Sequence, residues 1–413
     1  MEMFEVIKKD LKSKARLGRI HTRHGVIETP AYVMVGTHAR VRELDSEDLV
    51  KTKTQIVIVN TYHLWSRLEA LAQSRASAQG GLPLTGQAVS GLDDFPGLHK
   101  YMDWDGPLMT DSGGFQVFSM GANREHRSGK VLKDDFKNAF RGSEENLVRI
   151  TEDGVYFKTD LDASEQYLDA EKSMWIQERL GADIIFAFDE ATSPHHDFEY
   201  TRQSMERTHR WASRSLKAYN PKQFLYGIVQ GGPYRELREE SAKVIGSMPF
   251  GGFGIGGSYA ASYGDTQKGT YAALDWVIPH LPENKPRHFL GIGKIEDIFE
   301  GVARGVDTFD CVIPTREARH GGLWTHQGRI DLKSAKFKDD KSILEKDCGC
   351  HACRKLGLKK CELRELFKVK NSEAGRLATF HNVYFFNKLM SEVRDAIALD
   401  RFEELRRLFP AVR

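Results

Sequence analysis

Asp183-Ile184-Ile185-Phe186-Ala187-Phe188-Asp189-Glu190 is an apolar run closed by two acids. It does not alternate polar with apolar residues, so it reads as a strand covered on both faces, as in a parallel sheet. Amphipathic stretches flank it, Ala170–Leu180 before and Glu199–Ala218 after. A buried strand between two helices is the repeating unit of an α/β fold. The pattern recurs along the chain. Gln55 to Val59 runs into Asn60-Thr61-Tyr62-His63, and Pro107 to Thr110 into Asp111-Ser112-Gly113-Gly114-Phe115-Gln116. Phe224 to Val229 ends in Gln230-Gly231-Gly232, and Phe253 to Ile255 in Gly256-Gly257-Ser258. His288 to Ile292 ends in Gly293-Lys294, and Val306 to Phe309 in Asp310. Tyr234–Ile245 and Ile295–Arg304 supply further helical stretches between them. Seven such runs favour a (β/α)8 barrel over an open doubly wound sheet. Their polar residues fall just after each strand, at the C-terminal end where barrel enzymes keep their chemistry.

The 413-residue chain is long enough for one large core with a small appendage. Hydrophobic content of 40%, charged content of 29% and a formal charge of +2 describe a globular protein of ordinary composition. No run of about 18 apolar residues exists, which excludes a transmembrane helix of that kind. Met1-Glu2-Met3-Phe4-Glu5 carries acids where a signal peptide needs a basic start, so secretion is not expected. Three of the 5 cysteines crowd into six positions, which is not a disulfide framework and fits a reducing cytoplasm. Charge is unevenly spread: Arg316 to Arg376 holds 16 Lys/Arg against 9 Asp/Glu, a local +7 that leaves −5 for the rest. A basic lobe on a mildly acidic body points to an anionic partner docking at one end, although a solvated basic surface would show the same count.

Two stretches break the rhythm and read as insertions, near 74–96 and near 121–145. After about Gly321 the alternation stops. The expected division is therefore a catalytic barrel over 1–320, a basic cysteine-bearing subdomain over 321–396 that includes a helix at Ala374–Ala396, and a tail over 397–413.

Cys348, Cys350 and Cys353 with His381 make a four-ligand Cys3His set, the usual composition of a closed structural Zn2+ site. His351 and Cys361 compete for the fourth place. His381 is preferred because a distant ligand ties the loop to a helix, whereas adjacent ligands strain the backbone. Asp111, Asp189 and Asp310 each end an apolar run, where burial and mutual repulsion would split their pKa values. Split carboxylates let one site supply both a nucleophile and a proton donor. A single Asp in that place is commonly a helix N-cap; three at strand ends of one barrel weaken that reading. The glycine pairs would let a flat ligand approach the backbone, or could be tight turns. None fits a nucleotide-binding glycine motif. Phe115 could stack on a base or belong to the core.

Together these residues resemble the queuine/archaeosine tRNA-guanine transglycosylases, in their bacterial form. The matching segments are Thr110 to Ser119, Ala187 to Glu190, Tyr226 to Gly232, Ile255 to Gly257, Phe309 to Arg316, Asn60 to Leu64, Val35 to Thr37 and the Cys3His set, spread from about Phe4 to Ile397. The resemblance implies exchange of guanine at the anticodon wobble position of tRNA for a 7-deazaguanine base, 7-aminomethyl-7-deazaguanine (preQ1) or queuine, in queuosine formation. It implies Asp310 as the nucleophile that forms a covalent Asp–ribose intermediate, and Asp111 as general acid/base. Asp189, Gln230 and Gly257 would bind the base, Phe115 and Leu290 would sandwich it, and Arg316 and Arg319 would hold the anticodon loop. It also implies one structural Zn2+ per subunit and a cytoplasmic homodimer.

Two departures stand out: Ala191 where the bacterial pattern has Cys, and Ser258 to Ser262 where it has a Glu-bearing segment that senses the aminomethyl group. They leave the choice of incoming base open, and Ala191 with Ala260 could enlarge the pocket for a bulkier one. Competing expectations are a non-catalytic tRNA-binding partner subunit of the same fold and a related enzyme acting at another tRNA position or on DNA. The three aspartates speak against the first, and the absence of an added RNA-binding domain after the cysteine segment against a deep-tRNA enzyme. A retaining glycosidase would use paired carboxylates but explains neither the cysteine lobe nor the glycines.

Overall fold

The chain enters through an antiparallel meander of β1 (Phe4–Lys9), β2 (Arg16–Thr22) and β3 (Gly25–Thr29). β4 (Ala31–Val35) follows, then α1 (Ser46–Lys51), β5 (Val57–Val59), α2 (Thr61–Ala78), α3 (Leu98–Met102) and β6 (Leu108–Thr110). A second antiparallel sheet is made by β7 (Val148–Ile150), β8 (Val155–Lys158) and β9 (Glu165–Leu168). Then come α4 (Ala170–Leu180), β10 (Ile184–Phe186), α5 (Phe198–Ala218), β11 (Phe224–Val229), α6 (Arg235–Ser247), β12 (Gly252–Ile255) and α7 (Gln267–Val277). The remainder is β13 (Arg287–Phe289), α8 (Ile295–Ala303), β14 (Thr308–Asp310), α9 (Ile313–Arg319), the hairpin β15 (Gly322–Thr325) and β16 (Gly328–Asp331), α10 (Lys360–Lys368), α11 (Ser372–Ala398) and α12 (Phe402–Leu408). This computed structural model describes residues 3–78, 91–116, 148–159, 165–192, 196–256 and 267–409.

The expected barrel is present: β4, β5, β6, β10, β11, β12, β13 and β14 close on one another in that order. Every residue of β5, β6, β10, β12 and β13 is buried, which is why these runs show no alternation. Seven of the eight strands are those read from the sequence. The eighth, β4, was not in that series because it follows the β2–β3 hairpin with no helix between to mark it. The two three-stranded antiparallel sheets and the β15–β16 hairpin were also not expected; β1 shows one covered face in its burial pattern, and its register is set only by pairing with β2.

Helix ends follow local chemistry. Asp169 caps α4 by accepting from Lys172 N, and Gly181 ends it in the left-handed region at φ 79°. Asp197 caps α5 through Tyr200 N. Asn371 opens α11, whose buried stripe includes Phe380, Val383, Phe386 and Met390. Tyr32 of β4 packs on Phe386 at 4.9 Å between ring centroids.

The chain divides into two compact units. One comprises Met1–Val59, Met102–Leu108 and Glu283–Arg413, the other Asn60–Tyr101 and Met109–Pro282. Of the segment near 74–96, residues 74–78 continue α2, and 91–96 are described separately. The segment near 121–145 lies outside the described residues.

Candidate functional site

In the unit spanning Asn60–Tyr101 and Met109–Pro282, Asp111 follows β6 and is gripped from α2. Asn60 donates to its Oδ2 at 2.6 Å, and the backbone N–H of Thr61 donates to Oδ1 at 2.9 Å. Thr61 Oγ1 donates to the Asp111 carbonyl at 2.5 Å. Asn60 in turn accepts from His63 N at 2.9 Å, so one residue caps α2 and orients the carboxylate. Gly113 N also donates to Oδ1 at 3.2 Å, so Asp111 forms a turn as well as presenting a carboxylate.

Asp189, beyond β10, is 5% exposed. Ser112 Oγ donates to its Oδ1 at 2.9 Å and Gln230 Nε2 to its Oδ2 at 2.7 Å. Burial pushes its carboxyl up to about 6, against the pull of those two hydrogen bonds. The acid therefore titrates close to neutrality. Gln230 Oε1 is buried with no hydrogen-bond partner among the described residues. An acceptor in that state awaits a donor. The room for Gln230 comes from Gly256, where a Cβ would stand 2.9 Å from its Nε2. Gly231, at φ 126°, turns the chain so tightly into α6 that a Cβ would meet the Arg238 backbone at 2.8 Å. Arg238, 1% exposed, donates to the carbonyls of Gly232 at 2.8 Å and Gly256 at 2.6 Å, joining the two glycine turns.

Helices behind the strands hold this cluster with neutral polar groups. From α5, Ser215 Oγ accepts from Phe188 N at 3.2 Å and Thr208 Oγ1 from Glu190 N at 3.0 Å. From α4, Gln177 accepts from Phe186 N and donates to Phe186 O, at 3.1 and 2.9 Å. Ser173 donates to the Ser112 carbonyl at 2.7 Å. Beside Asp189, the buried Glu190 is paired with Arg207 and takes the Tyr200 hydroxyl at 2.9 Å. None of these supports was read from the sequence. The signal was there in Ser204, Thr208 and Ser215, small hydroxyls at helical spacing on the covered face of α5.

In the unit that contains Glu283–Arg413, Asp310 is the last residue of β14, which runs one residue beyond the expected strand end at Phe309, and its side chain is 15% exposed. His288 Nε2 and Gly291 N both meet its Oδ1 at 3.0 Å. His288 is fully buried and its Nδ1 lies 2.9 Å from Thr308 Oγ1. Tyr32 donates to the Cys311 carbonyl at 3.1 Å, and burial pushes the Cys311 thiol up to about 11. Neither Asp189 nor Asp310 caps a following helix: Asp197 caps α5, and Val312 stands at the N-cap of α9 with no side-chain hydrogen bond.

The other expected residues are placed as follows. Phe115 is 44% exposed just beyond Gly114, and Leu290 is half-buried after β13. Ala191 is half-buried beside Glu190. Gly257 and Ser258 to Ser262 lie outside the described residues. Arg316 is exposed on α9, and Arg319 is half-buried there. Burial first, then repulsion from Arg42, holds the Arg319 guanidinium below its ordinary range.

Cys348, Cys350, Cys353 and His381 come together, every ligand atom within 4.8 Å of the others. Their sulfurs lie 3.8, 3.6 and 3.4 Å from His381 Nδ1. Tetrahedral Zn2+ bonds would separate sulfur from nitrogen by about 3.6 Å. The group could therefore hold a metal ion. Hydrogen bonds from the Cys348 and Cys353 thiols hold the Cys350 thiol below its ordinary range. His381 Nε2 lies 2.9 Å from the Trp324 carbonyl, which leaves Nδ1 as the ligand atom. His351, exposed against Phe380, and Cys361, half-buried in α10, are not in the group. The next residue on α11, Asn382, donates to the carbonyls of Pro314 and Gly322 at 3.0 Å each and accepts from Trp324 N at 3.0 Å. The helix that carries His381 is thereby fastened to α9, which carries Arg316 and Arg319.

The chain is similar to known proteins along nearly its whole length. Residues 10–413 match the family model described as queuine tRNA-ribosyltransferase. A queuine tRNA-ribosyltransferase of Caldanaerobacter subterraneus subsp. tengcongensis is 40% identical over 408 residues, covering 98% of this chain and 96% of the relative. One of Halothermothrix orenii is 40% identical over 404 residues, covering 98% and 95%.

Proposed function

The chain belongs to the queuine tRNA-ribosyltransferase family, whose members are pentosyltransferases, and on that premise we propose that it exchanges wobble guanine of tRNA for a 7-deazaguanine base, preQ1 or queuine. Asp310 attacks the ribose anomeric carbon and forms a covalent ester. As the C1′–N9 bond breaks, its electron pair leaves with guanine, which Asp111 protonates. The incoming base loses a proton to Asp111 and displaces the ester. Because the bond is glycosidic and its transition state oxocarbenium-like, a carboxylate nucleophile and a second acid are the pair the chemistry needs.

The observation that carries this reading is the Asp189–Gln230 pair. A carboxylate beside an amide with an unfilled acceptor matches the donor-rich edge of a guanine, N1–H and the 2-amino group. Gln230 and the backbone at Gly257 bind the base carbonyl, while Phe115 and Leu290 stack on a base splayed from its loop. Arg316 and Arg319 take the loop phosphates. Zn2+ is the ion proposed for Cys348, Cys350, Cys353 and His381, since three thiolates and an imidazole select it. Bound there, it supplies scaffolding rather than reactivity. Residues 321–396 then act as a metal-stapled, basic docking lobe attached to a barrel over 1–320. No described helix is long and apolar enough to cross a membrane; a cytoplasmic location and a homodimer complete the proposal, the latter measurable by sedimentation.

Radiolabelled guanine loaded into tRNA provides the test, with preQ1 or queuine added as competitor. Release of label with either base supports the reading and names the substrate. A chain that binds tRNA yet releases no label with either base, or with unlabelled guanine, is instead a non-catalytic partner subunit.

A further inference from the structure

We infer that His288 is a positioning residue that makes Oδ2 of Asp310 the attacking oxygen and then eases its departure; the inference rests on the nucleophile role proposed for Asp310. Two donors, His288 Nε2 and Gly291 N, converge on the same atom, Oδ1, each at 3.0 Å. A carboxylate only accepts, so Nε2 carries the proton of that bond, and the Thr308 hydroxyl at Nδ1 secures the tautomer. His288 is fully buried on β13, and its Thr308 partner lies on the same strand as Asp310, so the ring is braced at both nitrogens. With Oδ1 doubly occupied, Oδ2 keeps the lone pairs that can bond to carbon.

The arrangement acts unequally on the two halves of the exchange. In the first half, Oδ2 forms a bond to C1′ and the C1′–N9 pair leaves with guanine. Oδ1 then becomes the carbonyl oxygen of a neutral ester. In the second half, C1′–Oδ2 breaks, and its electron pair restores the carboxylate while N9 of the incoming base bonds to C1′. Donors bind a carboxylate more strongly than an ester carbonyl. His288 therefore favours release of Asp310 from the ribose and keeps the covalent state from accumulating.

Adduct and turnover are measured together, by denaturing gel with tRNA and by guanine exchange, in wild type, His288→Phe and His288→Gln. Phe fills the ring's volume without a donor, and Gln restores an N–H. The expected result for His288→Phe is an adduct-to-free-enzyme ratio about tenfold higher with turnover about tenfold lower and KM for tRNA within about twofold. His288→Gln should return both values most of the way. Should Phe prevent folding, His288→Ala removes the same donor in a smaller side chain and is read against Gln in its place. Ratio and turnover that stay unchanged, or that fall together with a lowered melting temperature and no rescue by Gln, overturn the inference. A wild type that exchanges guanine without forming any adduct overturns the nucleophile reading beneath it, and the two failures are told apart by that control.

Discussion

The strand-end aspartates and the Cys3His group are built on opposite plans. The Cys3His group is assembled largely from one short stretch, Cys348 to Cys353, plus one imidazole, and its ligand atoms converge so that they could hold one metal ion. Each aspartate stands at or just beyond the end of its own strand and is held by neighbours from elsewhere in the chain: Asn60 and Thr61 for Asp111, Ser112 and Gln230 for Asp189, His288 and Gly291 for Asp310. Groups that satisfy one another make scaffolding. Groups that are each held separately, by neighbours of their own, make chemistry. Substitution in the lobe should therefore cost folding, and substitution at a strand end should cost activity while leaving the fold intact.

The largest effect should follow Asp310→Asn. It removes the nucleophile and should abolish the denaturant-resistant tRNA adduct and lower exchange by about 10⁴-fold or more. Its melting temperature should stay within a few degrees of wild type. An adduct that persists would reassign the nucleophile.

Next comes Cys350→Ser, or a strong chelator applied to the wild type. Loss of a buried ligand should cost the lobe several kcal/mol, read as protease cleavage within 321–396. Because Asn382 links α11 to α9, tRNA affinity should fall with it. A lobe that stays protected after complete metal removal would erase the contrast drawn above.

A smaller effect, opposite in its two readouts, is expected for Asp189→Asn. Base recognition should weaken by about 10²–10³-fold. Stability at pH 8 should rise by up to roughly 3 kcal/mol, because a carboxyl pushed up to about 6 by burial costs free energy when ionised. The sign follows from the two pKa values. The unfolded acid ionises near 3.8 and the folded one near 6, so the gain is absent below about pH 4 and full above about pH 6. For the same reason base affinity of the wild type should decline about tenfold per pH unit below 6. Equal affinity at pH 5 and pH 7.5 would show that Asp189 does not meet the base as a carboxylate.

Much of this was legible in the linear chain. Ala170–Leu180 coincides with α4, bounded by Asp169 and Gly181, because caps are local chemistry. The unalternating runs marked seven barrel strands because strands covered on both faces have no polar side. β4 escaped because only the closing of the ring makes it a barrel strand. The metal group was visible from spacing. Its anchoring through Trp324 and Asn382 was not, since a carbonyl acceptor leaves no mark on residue type.

The sequence by itself determined the fold class, the family and which aspartates stand at the ends of barrel strands, because burial, turn chemistry and ligand type are written in residue type and order. Only the tertiary structure decided what holds each carboxylate. Asp189 and Asp310 follow similar apolar runs, yet one is buried and pushed up to about 6 while the other has two donors on a single oxygen. Environment, not residue type, sets what a carboxylate does, and environment is made by residues that the chain brings together from far apart.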